Sequence, residues 1–157
     1  MGTTKNLGYQ LLFPLARAML AATFIISAVR HLTHWSVALD EMAGDAMPRS
    51  SLLLIGSVAL RLAGGLSVLL GFRARSGAAL LLVFVVPAAF LAHDFWMMPE
   101  ARRTHEAVEF LNNMAIAAGA LLVVLNGAGA WSIDSIQEHR THNQKNPTTT
   151  AITSELS

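Results

Sequence analysis

The sequence contains no cysteine and little charge. Without cysteine, the chain itself cannot form disulfides, bind iron–sulfur clusters or thiolate zinc, or carry thiol redox chemistry. Charged residues make up 13% of the chain, whereas soluble domains carry about 25%. Hydrophobic residues make up 54%, and the formal net charge of +1 offers no basic surface for nucleic acid. The length of 157 residues and this composition predict one membrane domain that does not bind nucleic acid.

Four long apolar runs fill most of the chain. A bilayer core needs about 20 apolar residues per helix, and that length is met or approached at residues 11–29, 51–70, 76–96 and 110–130. Backbone groups in lipid must be satisfied within the segment, so we expect helices. The runs are continuous rather than alternating, which argues against a β-barrel. The sequence therefore predicts an all-α, integral membrane four-helix bundle over residues 1–134.

The connecting segments differ in character. They comprise a long connection at 30–50 with an amphipathic stretch at 35–42, a tight turn at 71–75, a charged loop at 97–109 and a polar, Thr-rich end at 135–157. We expect an interfacial helix in the first and a disordered tail in the last. The start has no short apolar core followed by a small-residue cleavage site, so we expect no cleavable signal peptide.

Positive charges favour an orientation. Four spans put both termini on one side, and the short 71–75 turn on that side carries two arginines and no acid. On the other side, arginines are mixed with acidic residues. By the positive-inside rule, we expect both termini in the cytoplasm.

Small residues recur at every fourth position of the second span. They are Ala59, Ala63, Ser67 and Gly71. Such a stripe lets a neighbouring helix approach closely, so we predict a packing face there.

Two arginines lie inside the predicted spans. A central arginine costs about 2.5–3.5 kcal/mol on insertion scales, which makes it a functional candidate. Side chains lean toward the helix N-terminus, so we expect Arg17 to snorkel to the cytoplasmic face and Arg61 to point to the other face. Arg61 is therefore the stronger candidate, with Asp94 and Glu109 as candidate acidic partners. A structural hydrogen-bonding role is the alternative.

The predicted topology brings further polar residues to the face of Arg61. They are His31, His34, His93, Asp94, His105, Glu106, Glu109, Asn112 and Asn113. Such a cluster fits a proton relay, hydrogen bonding to a quinone head group with Arg61 or an asparagine as donor, or metal or haem binding through imidazole. We favour the first two and predict no metal, because haem-binding histidines of bundles lie deep within spans. The simpler alternative is the general preference of polar residues for membrane interfaces.

Span ends carry two further signals. Trp96 and Trp131 are typical of an aromatic belt. Asp134 follows the last span, and we expect a cap or a boundary marker there rather than a catalyst.

Six short motifs follow one another along the chain: SAVRHL at 27–32, GGL at 64–66, LLGFR at 69–73 with Arg75, HDFW at 93–96, NMAIAAG at 113–119 and WSID at 131–134. In their order and spacing they resemble the DoxX family of small bacterial four-helix membrane proteins. Together they extend from about residue 11 to 134. The chain departs from the family where Arg61 stands in place of a frequent acidic residue, and where His31 and Asn112 stand in place of frequent lysines. These changes imply a rearranged charge pattern.

The resemblance implies a role in a membrane redox system. Family members are linked to a subunit of a thiosulfate:quinone oxidoreductase and to a membrane partner of superoxide dismutase and a sulfurtransferase. We therefore expect a subunit of a quinone-linked or oxidative-stress system in the bacterial inner membrane, with quinone as cofactor and a soluble or membrane redox partner. Candidate residues are His93, Asp94 and Arg61 for catalysis, and Arg61, Asn113, His31 and Glu109 for cofactor binding.

Two other functions stay open. A non-catalytic anchor or assembly module for a soluble partner would fit the small-residue stripe and the polar tail. A small-solute transporter is less favoured, since four short spans would need to form a homo-oligomer. A redox subunit should need Arg61 and His93, whereas an anchor should tolerate their loss.

Overall fold

A computed structural model describes residues 3–44, 50–129 and 131–137, with only the backbone described for residues 3–11 and 44. This part of the chain contains five helices and no strand. The helices are α1 (Thr3–Thr33), α2 (Trp35–Gly44), α3 (Ser51–Leu70), α4 (Ala74–Ala92) and α5 (Glu100–Asn126). Four of them, α1 over Leu12–Thr33 and α3 to α5, are long and apolar enough to cross a membrane. The predicted all-α membrane bundle is confirmed.

Helix boundaries agree with the predictions in part. The second span has the predicted bounds, and α2 is the expected short helix of the first connection. The fourth span was predicted to begin at residue 110, but α5 begins at Glu100, after Pro99. Glu100 in the first turn favours this start by its interaction with the helix dipole. Except for residues 135–137, which continue a short helical turn, the predicted polar tail lies outside the described residues.

The helices are arranged in the spatial order α1, α3, α4, α5. Helix α3 packs against both α1 and α4, and α4 packs against α5, while α1 and α5 make few contacts. One end of the bundle, the α2 end, carries α2 and the connection from α4 to α5. The other end, the turn end, carries the tight turn at 71–73 and the segment that follows α5.

Two adjacent glycines let α3 approach both of its neighbours. A methyl group at Gly64 would lie 2.7 Å from the Leu81 side chain of α4, and one at Gly65 would lie 3.0 Å from Ile25 of α1. The predicted stripe is wrong in its first half, because Ala59 and Ala63 are exposed. A stripe at every fourth position serves one partner, whereas α3 has a partner on each side.

Arg17 holds the turn end together. Its side chain is buried, and its guanidinium donates to the carbonyls of Ala128, of Trp131 at 2.8 Å and of Leu69 at 3.4 Å. We expected this side chain to snorkel toward head groups. It points to the expected end but binds protein carbonyls instead, since the helix ends there leave acceptors without intrahelical partners.

Asp134 caps the same end. Its carboxylate accepts hydrogen bonds from the backbone N–H of Arg73 at 2.7 Å and of Ala74 at 3.1 Å, and its own N–H donates to the Gly71 carbonyl at 2.9 Å. The expected role as a cap is confirmed, on α4 rather than on the helix nearest in sequence. A carboxylate at a helix N-terminus also interacts favourably with the helix dipole.

Replacing Gly64 by Ala should destabilise the bundle by about 1–3 kcal/mol, because the added methyl group overpacks the α3–α4 contact. Gly56→Ala in the same helix is the matched control, since a methyl group there meets no atom within 4 Å. Reversible unfolding of the detergent-solubilised protein by SDS, followed by circular dichroism, measures both. Equal losses of stability in the two variants would contradict the packing contact.

Replacing Arg17 by Leu should lower the free energy of unfolding by at least about 2 kcal/mol, because buried carbonyls lose their donors. The same unfolding experiment tests this change. Arg103→Leu is the control, as that exposed arginine donates a single hydrogen bond within the described part of the chain, to the Met98 carbonyl at 3.2 Å. An unfolding midpoint unchanged from wild type in Arg17→Leu would contradict a stabilising role.

Candidate functional site

A cavity of about 350 Å³ lies among all five helices, toward the α2 end. Its walls are largely apolar, with Phe24, Leu54, Phe84, Val85 and Ile116 among the lining residues. The polar side chains on its walls are Thr23, Ser27, His31, Glu41, Ser57, Arg61, His93 and Asn113. A mostly apolar cavity with a few convergent polar groups is the usual form of a small-molecule site.

Three contacts position the guanidinium of Arg61. Its Nη1 donates to Ser27 Oγ at 2.9 Å and to His31 Nδ1 at 2.9 Å, and its Cζ lies 4.6 Å from the centre of the Phe84 ring. Arg61 stands near the middle of α3, and its side chain leans toward the helix N-terminus, as expected. The contacts therefore hold a charged group on the wall of an apolar cavity.

No carboxylate of the described residues lies within 4.0 Å of the Arg61 guanidinium. Its Nε is buried and has no hydrogen-bond partner in the same part of the chain. The expected acidic partners, Asp94 and Glu109, do not pair with it. Hydroxyl, imidazole and aromatic groups surround this cation instead, and a buried charge without a counter-charge is costly.

The contact with Arg61 determines the protonation of His31. A guanidinium has donors only, so His31 Nδ1 must accept, and the ring is neutral with its proton on Nε2. This Nε2 lies 3.9 Å from Glu41 Oε2, and Glu41 Oε1 lies 2.5 Å from Arg30 Nη2. The His31 side chain is 17% exposed, whereas that of Arg30 is 61% exposed. A chain of polar groups thus leads from the cavity to the surface.

A second chain of the same composition starts at His93. His93 Nδ1 lies 3.0 Å from Glu106 Oε2, and Glu106 Oε1 lies 3.4 Å from Arg102 Nη2. The Glu106 side chain is 10% exposed and that of Arg102 is 70% exposed. Each chain has a histidine at the cavity, a carboxylate behind it and an arginine at the surface. In the His93 chain, the histidine and the carboxylate can exchange a proton, whereas the arginine stays protonated.

The remaining predicted site residues divide into two groups. Asn113 lines the cavity, and its Nδ2 donates to the Glu109 carbonyl of its own helix at 3.0 Å, which leaves Oδ1 available. Asp94 and Glu109 do not line the cavity. The structure therefore brings together Arg61, His31, His93 and Asn113 of the predicted set.

Sequence reasoning missed Ser27 and Glu41 at this site. Ser27 precedes His31 by one helical turn, so i, i+4 spacing from a polar residue was the available signal. Glu41 lies on α2 and is one of the acidic residues that are mixed with arginines on that side of the membrane in the predicted topology. Its contact depends on how α2 folds back on α1, which no local pattern reports.

An aromatic cluster fixes the connection that carries His93. Phe90 and Phe110 are 5.1 Å apart, Phe95 and Trp96 are 5.1 Å apart, and Trp96 lies 6.1 Å from Phe110, between ring centroids. Edge-to-face pairs at these distances are favourable. They hold the segment after α4 against α5 and so keep His93 beside Glu106. Trp96 is 47% exposed and Trp131 66% exposed, as anchors at an interface would be.

The described residues contain no group of three or more His, Asp or Glu side chains arranged to hold a metal ion. The site instead offers hydrogen-bond donors from Arg61 and an acceptor from Asn113. It also offers two histidines that are backed by carboxylates. This donor set suits an organic head group that carries oxygen atoms.

Fold and site together define a four-span membrane protein with a mostly apolar cavity that carries a few polar groups toward the α2 end of the bundle. The DoxX family model matches residues 12–94, just over half of the chain. The chain belongs to the DoxX family. The matched segment contains α1 from residue 12 onward together with α2, α3 and α4, and so includes Arg61, His31 and His93.

The relatives agree with a membrane location. The chain is 27% identical over 120 residues to the inner membrane protein YphA of Escherichia coli, covering 76% of this chain and 86% of the relative. It is 29% identical over 121 residues to the inner membrane protein YqjF of the same organism, covering 77% and 88%. A Schizosaccharomyces pombe homologue of Surfeit locus protein 4 is 32% identical over 69 residues, 43% of this chain and 23% of that relative. No solved structure matches this chain significantly.

Family membership and a lipid environment are thus established, with relatives that are inner membrane proteins. The orientation of the termini, the redox partner and the oligomeric state stay predictions.

The contact between Arg61 and His31 predicts a single neutral tautomer. In protein labelled with ¹⁵N-histidine, His31 should show an unprotonated Nδ1 and a protonated Nε2 at neutral pH, and His31→Gln identifies its signals by their loss. Arg61→Gln should release the ring to a mixture of tautomers. An imidazolium, or a protonated Nδ1, in the wild-type protein would contradict the assigned hydrogen bond.

Proposed function

We propose that this protein is a membrane subunit of a quinone-linked redox system and binds the quinone head group in the Arg61 cavity. The observation that carries the proposal is a guanidinium held by Ser27, His31 and Phe84 on the wall of a mostly apolar cavity of about 350 Å³. A quinone ring has apolar faces and carbonyl oxygens at its edge. The cavity offers the matching surfaces, and its volume lies in the range of small-ligand sites.

Arg61 supplies the first fixed contact. One quinone oxygen accepts a hydrogen bond from the guanidinium, which retains donors on Nη2 because both of its hydrogen bonds use Nη1. The ring lies against the apolar wall formed by residues such as Phe84 and Ile116. A charge-assisted hydrogen bond of this kind is about twice as strong as a neutral one.

His93 and Glu106 handle protons. Reduction of a quinone to a quinol adds two electrons and two protons, and a redox partner protein provides the electrons. His93 donates Nδ1–H to Glu106, which leaves Nε2 for exchange with a ligand oxygen. Glu106 and the exposed Arg102 behind it connect this histidine to the surface. His31 acts differently, because its Nδ1 is occupied by Arg61 and its role is to hold that side chain.

The arrangement of the helices provides an entry from lipid. Helices α1 and α5 make few contacts with each other, although both line the cavity. An isoprenoid tail leaves the cavity between these two helices and extends into the bilayer. This path needs no opening of the well-packed α1–α3, α3–α4 or α4–α5 contacts.

Replacing Arg61 by Leu should weaken the binding of decylubiquinone at least tenfold. Loss of a hydrogen bond to a charged group costs about 1.5–3 kcal/mol, and 1.4 kcal/mol is a factor of ten in affinity. The measurement is equilibrium binding to the purified full chain in lipid nanodiscs, with empty nanodiscs subtracted. Arg75→Gln, an exposed arginine at the turn end, is the matched control and should bind as wild type does.

If a folded Arg61→Leu variant bound decylubiquinone with unchanged affinity, Arg61 would not be a quinone-binding residue. Normal redox activity of the native complex in the same variant would favour the anchor function instead. Circular dichroism and expression level show whether the variant folds.

A further inference from the structure

We infer that the Arg61 cavity selects an anionic head group, and that its preferred ligand is the deprotonated form of a hydroxyl-bearing quinone rather than a neutral quinone. The inference rests on the proposed quinone site and adds the charge of the ligand that the site takes. It follows from how the charged groups around the cavity are paired.

The two carboxylates that lie next to the cavity histidines each have an arginine partner. Glu41 binds Arg30 at 2.5 Å, and Glu106 lies 3.4 Å from Arg102. These arginines are on the outer side, where they are 61% and 70% exposed. Arg61 is the cation on the inner side, and no carboxylate of the described residues pairs with it.

The histidines do not supply the missing negative charge. His31 accepts from Arg61 through Nδ1 and is neutral. His93 donates to Glu106, so its second nitrogen meets the cavity either as a neutral acceptor or as part of an imidazolium. Glu41 also lines the cavity, but its charge is paired with Arg30, which does not line it. When the Glu41–Arg30 and Glu106–Arg102 pairs are each counted as neutral, one positive charge is left among the described groups around the cavity, that of Arg61.

An excess charge in an apolar cavity determines what binds there. Opposite charges attract far more strongly in a low dielectric than in water, and a buried guanidinium without a counter-ion is costly. A neutral carbonyl oxygen solvates this cation only in part. The oxygen of a deprotonated hydroxyquinone neutralises it, while the apolar ring keeps the contacts with the cavity wall.

The experiment compares two ring-matched probes. 2-Hydroxy-1,4-naphthoquinone is an anion at neutral pH, and 2-methoxy-1,4-naphthoquinone has the same ring without the charge. We measure their equilibrium binding to the full chain in nanodiscs, together with decylubiquinone and decanoate. The hydroxy compound should bind at least tenfold more tightly than the methoxy compound. The preference should vanish when acidification protonates the hydroxyl group.

Variants connect the preference to Arg61. The tenfold preference should disappear in Arg61→Gln, persist in part in Arg61→Lys, which keeps the charge, and remain complete in Arg75→Gln. If Arg61→Gln fails to fold, the comparison of the two probes in the wild-type protein, with its pH dependence, still shows whether the cavity prefers an anion.

The binding results distinguish loss of charge selection from loss of the quinone site itself. Equal binding of the two naphthoquinones, weakened equally by Arg61→Gln, would overturn charge selection and leave a quinone site. Binding of decanoate without binding of any quinone would overturn both in favour of a carboxylate amphiphile. Binding of none of the four probes would also overturn both.

Discussion

Two guanidinium groups lie inside the apolar bundle, and their partners determine how its two ends are built. Inside lipid or a packed core, a charged group without hydrogen-bond partners has a large unfavourable free energy. Arg17 finds them in backbone carbonyls at the turn end, and three chain segments converge on it. Arg61 finds side chains of α1 and the face of Phe84. The hydrogen bonds of Arg17 join three chain segments at the turn end, whereas Arg61 keeps N–H donors available beside the cavity.

The architecture could be predicted because it depends on long patterns. Continuous apolar runs identified the four spans, and α3 was predicted with its observed bounds. The start of α5 was missed because hydropathy reports the part of a helix that crosses lipid, while α5 begins with a charged segment outside that part. The close approach of α3 to its neighbours was assigned to the wrong residues. Gly64 and Gly65 are adjacent in sequence and point to different helices, so a single repeating stripe could not describe them.

The sequence predicted which residues of the candidate site lie at the same end of the bundle, but not which of them contact each other. Topology alone brought Arg61, His31, His93 and Asn113 to one end, and the structure places all four on one cavity. The pairings were beyond sequence reasoning, because they depend on how α2 folds back and how α5 turns about its axis. Asp94 and Glu109 were reasonable partners for Arg61 by charge, yet the partners found are Ser27 and His31. Local spacing favours i, i+4 pairs within a helix, whereas the decisive contacts here join different helices.

The order of synthesis gives Arg17 a particular problem. This residue enters the membrane with the first span, but its acceptors Ala128 and Trp131 follow 111 and 114 residues later in the chain. At about 5–20 residues per second, that delay is roughly 5–20 s. Of its three described acceptors, Leu69 alone is made before the last span. The full set of hydrogen bonds to Arg17 can therefore form only after the fourth span has been synthesised, so this end of the bundle is completed last.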